Sequence, residues 1–399
     1  MAEAMRALLY TIGAMLSLGK LSAAVDHGAP MAGGLAPMAG SRRLLRLAAL
    51  NSSLSREFRV ESWQPVSPWL SRDAFDVELP PACTASVVAC GLRTFNTRAE
   101  KAGHFPHSAQ NLLPCWSFFS AHKRLKPVLL VESPALVGSS SWTRGLLELM
   151  GCEIATSLPP ACAIVGTLRA FPPTGWPSNE MRWVSTPSDL PSLAGRFERS
   201  SLGSLPAMPQ PSGARSIRVG LLLRTGGRRF AFEQEIVARI REALPRARLN
   251  ATTFDNLSFI EQAAWLHSHD LILSAHGAQN MNFIFARKCA SILEVFPPRY
   301  YLPGFYLTAA QAAGAVTFVA FSNAEEARTN PPASGLSKKD ERQAYKSRRR
   351  SRHAALEISP ESMARALQLM LKAHCDCVRR GRLAAPLQCG KDISMSATQ

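Results

Sequence analysis

The sequence predicts an α/β protein built on a doubly wound parallel sheet. Short apolar runs alternate with helical segments from residue 217 to residue 320, and this alternation is typical of parallel sheets with helices on both faces. Hydrophobic residues make up 46% of the chain and charged residues 19%, which excludes a wholly disordered protein. A chain of 399 residues exceeds one ordinary domain, so two domains are expected.

The N-terminus has the pattern of a secretory signal peptide. Arg6 precedes an uncharged run from Ala7 to Gly19, and Ser22-Ala23-Ala24 resembles a cleavage site. The run is shorter than the roughly 20 residues that span a bilayer, which favours a cleaved signal. A short anchor is the alternative, and the lack of acids in this region also fits an organellar transit peptide. We predict residues 1–24 as a signal peptide or short signal anchor and residues 25–61 as a stem or linker.

The first folded region, residues 62–205, is predicted to be a smaller α/β domain. A glycine that follows a helical segment is a good C-cap, and Gly151 stands in that position. The predicted elements are a helix from His107 to His122, a strand from Pro127 to Val131, a helix from Trp142 to Met150 and a strand from Ala163 to Val165. Prolines and turn residues between Ser200 and Ser216 predict an interdomain linker.

The second region, residues 206–375, carries the clearer pattern. Ile217–Leu223 is a nearly continuous apolar run, typical of a buried parallel strand. Glu233–Leu244 has helical periodicity, and Ser258 with Glu261 forms a capping box at the start of a helix. The other predicted elements are strands at Leu271–Leu273, Ser291–Phe296 and Val316–Ala320, and helices at Ala278–Phe285, Tyr301–Ala313 and Pro360–Ala373. We predict a disordered basic loop at residues 325–352 and a tail at residues 376–399.

The net charge of +17 indicates an anionic partner. Nucleic acid, acidic lipid and a sugar nucleotide all meet this requirement. This charge and the run Arg348–Arg352 motivate a nucleic-acid-binding alternative, but the leader and the lack of a recognised nucleic-acid module speak against it. We therefore expect no nucleic-acid partner, and a membrane contact only through a possible N-terminal anchor.

Nine cysteines contain neither a CxxC pair nor a Cys/His set with zinc spacing, so a structural zinc site is not expected. Cys375, Cys377 and Cys389 cluster near the C-terminus, where an oxidising compartment would link them; free thiols are an equal alternative. The Asn-x-Ser/Thr sites at Asn51, Asn250 and Asn256 also fit secretion.

A glycine turn between a strand and a helix is the first candidate site. Leu271–Leu273 leads into His276-Gly277-Ala278, and ligands of open parallel sheets bind at the carboxyl ends of strands. The start of a helix offers free N–H groups to phosphate. We expect Gly277 and Ala278 to let a diphosphate approach the backbone and His276 to contact a phosphate.

A basic loop at the same predicted edge is the second candidate. Arg224 and Arg228 follow the first strand of this region, and arginines clamp phosphate oxygens with forked, charge-assisted bonds. Glu294 lies within the apolar strand 291–296, where a carboxylate needs compensation. A ribose hydroxyl would provide it, as would a structural hydrogen bond to nearby backbone.

Taken in order, these motifs resemble glycosyltransferase family 61, over roughly residues 100 to 375. The matching positions are His107–Pro114, Arg224 with Arg228, Glu261-Gln262, His276-Gly277-Ala278, Asn282, Ile292–Pro297, and Phe305-Tyr306 with Ala309. The family includes plant xylosyl- and arabinosyltransferases and animal N-acetylglucosaminyltransferases that act on proteins or O-mannosyl glycans.

The resemblance implies two Rossmann-like domains facing a cleft, the GT-B arrangement, and inverting transfer from a UDP-sugar to a hydroxyl of a glycan or glycoprotein. The sugar would be N-acetylglucosamine or a pentose such as xylose, and the compartment the Golgi or endoplasmic reticulum lumen. His107 is the candidate base, and a core or acceptor-positioning histidine is the alternative. The implied donor-binding residues are Arg224, Arg228, His276, Gly277, Ala278, Gln279, Asn282 and Glu294. No Asp-x-Asp occurs in the chain, so neither a metal nor another cofactor is expected.

The chain departs from the family pattern at three places. Gln279-Asn280 replaces the usual glycine and leucine, Arg287-Lys288-Cys289 replaces a Pro-Pro-Gly turn, and Asn111 replaces an acid. The last two motivate an alternative: a noncatalytic protein of the same fold that binds a nucleotide sugar or a glycan.

Overall fold

The computed structural model describes residues 58–59, 75–80, 83–92, 105–131, 140–158, 162–168, 189–200, 216–298, 300, 306–322, 351–381, 383 and 389. The strands within these ranges are β1 (Phe58–Arg59), β2 (Phe75–Glu78), β3 (Val87–Leu92), β4 (Lys126–Val131), β5 (Glu153–Ala155), β6 (Ala163–Leu168), β7 (Arg218–Leu222), β8 (Arg248–Thr252), β9 (Leu271–Ala275), β10 (Ser291–Phe296) and β11 (Val316–Phe321). The α-helices are α1 (Phe105–Ala121), α2 (Ser141–Met150), α3 (Asp189–Ser200), α4 (Glu233–Ala243), α5 (Phe259–Ser268), α6 (Leu307–Ala312) and α7 (Pro360–Arg380), and a 3₁₀ helix covers Ala278–Phe285.

Two sheets confirm the α/β class. The C-terminal sheet has the order β1-β11-β10-β9-β7-β8, in which only β1 is antiparallel. The N-terminal sheet has the order β2-β6-β3-β4-β5, in which only β2 is antiparallel. Both belong to one compact unit, Ala48–Gln399. The division into two domains at residue 205 stays a prediction.

Local sequence signals account for most element boundaries. The capping box is confirmed: the Ser258 N–H donates to Glu261 Oε2 (2.7 Å) and the Glu261 N–H donates to Ser258 Oγ (3.3 Å). Gly151 ends α2 with φ 62°, as a C-cap glycine does. The segment at Ala278–Phe285 is helical as predicted, but it has the tighter 3₁₀ geometry. The strand β1 was not foreseen, because its two residues lie within the predicted stem.

Helices of the first region share a hydrophobic core with the C-terminal sheet. The Trp142 indole of α2 donates from Nε1 to Asn282 Oδ1 in the 3₁₀ helix (2.8 Å), and its ring meets Phe259 of α5 edge-on, with centroids 5.5 Å apart. Gly145 has no room for a side chain, because a Cβ there would lie 2.8 Å from the Phe259 Cβ. The other face of the C-terminal sheet packs against α4 and α7.

Four disulfides join the described cysteines in pairs: Cys83–Cys162, Cys90–Cys115, Cys289–Cys377 and Cys375–Cys389. Of the clustered C-terminal cysteines, two pair with each other and Cys377 bonds to Cys289 instead. Cys152 is a free thiol, and burial raises its pKa to about 11. None of the helices in the described ranges is long and apolar enough to span a bilayer.

Candidate functional site

The predicted loops meet at one edge of the C-terminal sheet. Leu222 of β7 and Glu294 of β10 both register with Ser274 of β9. The loops that follow these three strands therefore begin next to one another, as expected at the carboxyl ends of a parallel sheet. The two anion-ready loops predicted from the sequence lie together at this edge.

Arg224 lies against the turn that follows β9. Its Nη1 donates to the His276 carbonyl oxygen (3.4 Å), and its guanidinium fills the space where a Gly277 side chain would be. A Cβ at Gly277 would overlap Nη1 and lie 2.7 Å from the Arg224 Cζ. Gly277 has an extended backbone (φ 176°, ψ 172°) that any residue adopts, so space for Arg224 is the reason for glycine here.

Arg228 is held by its backbone in an unusual conformation. Its φ is 64°, in the left-handed region that few non-glycine residues adopt, and its N–H donates to the Ala354 carbonyl (3.1 Å). The side chain is 7% exposed and its Cζ lies 5.7 Å from the centre of the Tyr300 ring. Strain of this kind is concentrated at functional sites.

The Arg224 and Arg228 guanidinium groups form no ion pair within the described residues, and Asp255 acts on Arg224 only through space. No described carboxylate forms an ion pair with either one, and the Nε atoms of both are buried without a hydrogen-bond partner. Burial lowers the pKa of Arg228 to about 10 and also lowers the pKa of Arg224. Arg228 still carries its charge near neutral pH. The site therefore presents one buried positive charge, on Arg228, and one half-buried positive charge, on Arg224.

His276 is oriented by a buried carboxylate. Glu294 is fully buried, and its Oε1 accepts from His276 Nδ1 (2.7 Å) and from Asn280 Nδ2 (2.8 Å). Burial lowers the pKa of His276, although Glu294 acts in the opposite direction. In the neutral ring Nδ1–H donates to the carboxylate, which leaves Nε2 as an acceptor. Nε2 has no partner among the described residues.

Three aromatic rings surround the His276 imidazole. Phe296 stacks on it with centroids 4.7 Å apart, and Tyr300 and Tyr306 lie at 5.3 and 5.4 Å. Tyr306 is buried, which raises its pKa well above the usual value. Neither tyrosine was predicted to be a site residue. Tyr306 is one of the positions that match the family motifs, and Tyr300 follows the carboxyl end of β10; these were the available signals.

The other predicted donor-binding residues have different surroundings. Asn282 is fully buried: its Nδ2 donates to Gln262 Oε1 (2.9 Å) and to the Gln279 carbonyl (3.1 Å), while its Oδ1 accepts from Trp142. Its amide is thus used within the protein and joins α2 to the C-terminal sheet region. Gln279 Nε2 donates weakly to Ser274 Oγ (3.4 Å).

The backbone at the start of the 3₁₀ helix is open to an acceptor. The N–H groups of Gly277, Ala278 and Gln279 donate to none of the described acceptors. Three such groups in succession suit an anion. The Ala278 N–H is one of these three groups, and its contact with the donor stays a prediction.

Glu294 has partners that sequence reasoning did not anticipate. Its carboxylate accepts hydrogen bonds from the side chains of His276 and Asn280, whereas a bond to nearby backbone had been the expected structural alternative. Its Oε2 is buried and has no partner within the described part of the chain. A ribose contact for this residue stays a prediction.

His107 lies in the first turn of α1. Its side chain, like that of Asn111, lies outside the described residues. Helix α1 packs against the 3₁₀ helix that follows Gly277. The assignment of His107 as a general base stays a prediction.

The Arg287-Lys288-Cys289 turn, which differs from the family pattern, lies before β10 begins and therefore at the amino ends of the strands. Cys289 has φ 68°, the conformation that favours glycine at the end of the family's turn. The disulfide to Cys377 and a hydrogen bond from His374 Nδ1 to the Cys289 carbonyl (2.8 Å) hold it there. This substitution preserves a turn away from the site, so it does not support a loss of catalysis.

No group of three or more His, Cys, Asp or Glu side chains suited to a metal ion occurs within the described ranges.

Comparison with known proteins agrees with the motif order. The family described as Glycosyltransferase 61 matches residues 105–293, a range that contains Arg224, the His276-Gly277-Ala278 turn and α1. Curated proteins give no match. The family match and the residues that carry it support the assignment of this chain to glycosyltransferase family 61.

Proposed function

We propose that this protein is an inverting glycosyltransferase that moves a sugar from a UDP-sugar to a hydroxyl of a glycan or glycoprotein. The donor sugar would be N-acetylglucosamine or a pentose such as xylose. The observation that carries the proposal is the pair of neighbouring guanidinium groups of Arg228, which is buried, and Arg224, which is half-buried; neither forms an ion pair with a described carboxylate.

Burying two like charges is unfavourable unless an opposite charge joins them. A diphosphate supplies that charge and presents several acceptor oxygens to the forked donors of arginine. The open N–H groups at Gly277–Gln279 add neutral donors beside the same pair. We therefore propose that arginines and backbone amides neutralise the donor diphosphate, with no metal ion or other cofactor required.

The proposed step is a single displacement. The acceptor oxygen forms a bond to the anomeric carbon while the bond from that carbon to the diphosphate oxygen breaks. The bonding pair leaves with UDP, and the acceptor proton passes to a general base, for which His107 is the candidate. Arg224 and Arg228 stabilise the charge that develops on the leaving diphosphate. The contact with Glu294 would fix the orientation of the His276 ring beside these arginines.

The GT-B arrangement is proposed for the two sheets, with the first region on the acceptor side. In support, α1 adjoins the 3₁₀ helix next to the candidate donor site. Four disulfides suit an oxidising compartment. Location in the Golgi or endoplasmic reticulum lumen is part of the proposal.

The test is a comparison of two neighbouring arginines. Arg228 is buried in the site, whereas Arg229 is exposed on the same loop, so Arg228→Gln and Arg229→Gln remove the same charge. Thermal unfolding would be followed with and without UDP, UDP-N-acetylglucosamine and UDP-xylose. Ligand at a hundredfold excess over Kd stabilises by about 2.7 kcal/mol; we expect this gain for the wild type and Arg229→Gln and its loss in Arg228→Gln.

The unliganded proteins provide a second readout. Because Arg228→Gln removes a buried charge beside another positive charge, its unliganded Tm should equal or exceed that of the wild type. A lower Tm would indicate a structural arginine. Absence of stabilisation by every UDP-sugar in the wild type would refute the proposal, while stabilisation without any turnover or slow hydrolysis would favour a noncatalytic binding protein.

A further inference from the structure

The segment from Ser351 to Ile358 lies along the arginine loop. The Arg228 and Ala231 N–H groups donate to the Ala354 and Leu356 carbonyls (3.1 and 2.9 Å), and the Leu356 N–H donates to the Arg229 carbonyl (2.8 Å). Phe230 and Leu356 form a parallel β-bridge. The segment thus pairs with the arginine loop in the manner of a short β-strand. The sequence had predicted its first two residues, 351 and 352, to be the end of the disordered loop 325–352.

This pairing brings Arg352 to the loop that carries Arg224 and Arg228. A Cβ at Gly227 would lie 3.5 Å from the Arg352 carbonyl oxygen and 3.2 Å from the His353 Cα. The Arg352 charge acts on both neighbours, since it contributes to the lowered pKa of Arg224 and of Arg228. No ion pair to a described carboxylate engages Arg352, and the side chain is exposed.

We propose that Arg352 is a third phosphate-binding residue, and that it binds the negative charge that the diphosphate gains when the bond to the sugar breaks. This inference rests on the proposed function. Arg228 is buried and Arg224 half-buried, whereas the Arg352 side chain is exposed to solvent. The acceptor must enter from solvent, so the sugar-bearing phosphate faces that side.

The transfer step creates a new negative charge that the positive charge of Arg352 could bind. In the donor each phosphorus group of the diphosphate carries one negative charge. When the carbon–oxygen bond breaks, its electron pair stays on the oxygen of the terminal phosphate, which then carries a second charge near neutral pH. Two arginines match the donor, and three match the released UDP. Electrostatic groups aimed at developing charge accelerate the step rather than tighten substrate binding.

The experiment measures the affinities of UDP and UDP-N-acetylglucosamine by calorimetry for the full chain. Arg352→Gln is compared with Arg229→Gln, which removes an exposed charge from the same loop, and with Arg352→Lys, which keeps the charge. We expect Arg352→Gln to weaken UDP about fivefold or more and UDP-N-acetylglucosamine by less than about twofold, since one charge-assisted contact to the extra charge is lost. Arg229→Gln should leave both affinities unchanged, and Arg352→Lys should restore most of the UDP affinity.

The outcomes separate this inference from the proposed function. If the wild type binds both ligands and Arg352→Gln behaves like Arg229→Gln, Arg352 is not a phosphate ligand. An equal loss for both ligands would refute the preference for the developing charge. A wild type that binds neither UDP nor UDP-N-acetylglucosamine would overturn the proposed function itself.

Discussion

Gly277→Ala probes the candidate site with a single methyl group. The added Cβ would overlap Arg224 Nη1 and lie 2.7 Å from Cζ, against the roughly 3.5 Å of an ordinary carbon–carbon contact. Cζ alone would have to move by about 0.8 Å, and the overlapping Nη1 requires a larger displacement of the guanidinium. The backbone itself accepts alanine, because Gly277 is already extended.

The expected loss follows from the contact that moves. A hydrogen bond to a charged group contributes about 1.5–3 kcal/mol, so a displaced Arg224 should weaken UDP binding by roughly 10- to 150-fold. The assay is calorimetric titration of UDP into the wild type and Gly277→Ala. The fold should tolerate the change, because the far end of a flexible side chain is what yields.

Two controls make the result specific. Gly195→Ala introduces the same methyl group on α3, where the nearest described atom is Arg199 Nη1 at 3.4 Å, and it should leave UDP binding unchanged. In an Arg224→Ala background, Gly277→Ala should add no further loss, because the displaced group is absent. Wild-type UDP affinity in Gly277→Ala, or additive losses in the double variant, would refute the reasoning.

The remaining predictions concern protonation, packing and metal dependence. Glu294→Gln should move the His276 titration to lower pH, because the carboxylate raises that pKa; NMR titration of the imidazole would show it, and an unmoved curve would argue against the contact. His269 is buried and its folded pKa is lowered from 6.5 to about 4 by burial, so as pH falls from 6.5 to 4 only the unfolded chain takes up the proton and stability declines by about 3 kcal/mol. His269→Gln should remove that part of the decline in urea unfolding measured at pH 7 and near pH 4, and an unchanged pH dependence would exclude His269 as its source. Gly145→Ala should lower the unfolding free energy by about 1–3 kcal/mol, because its Cβ would overpack Phe259; a Tm equal to that of the wild type would contradict the tight packing. EDTA should leave turnover of a UDP-sugar unchanged if arginines neutralise the diphosphate, and recovery only on adding a divalent cation would count against that proposal.

Short-range patterns in the sequence determined most of the C-terminal region. The apolar runs at 217–223 and 291–296 became buried central strands, and the Ser258 capping box and the Gly151 cap formed where their chemistry predicts. The meeting of Arg224 with the His276 turn was also foreseeable, because parallel strands bring their carboxyl ends to one edge. In each case, the information lies within a few residues or in a rule about sheet direction.

Only the tertiary structure decided the partners of the buried polar groups. Glu294 turned to His276 and Asn280, and Gly277 made room for Arg224. Arg352 lies beside the loop that carries Arg224 and Arg228, although more than a hundred residues separate them in the sequence. These outcomes depend on contacts between distant segments, and hydrogen bonds between side chains leave no periodicity in the sequence. The residue types were therefore readable as chemistry, while the pairing among them required the folded chain.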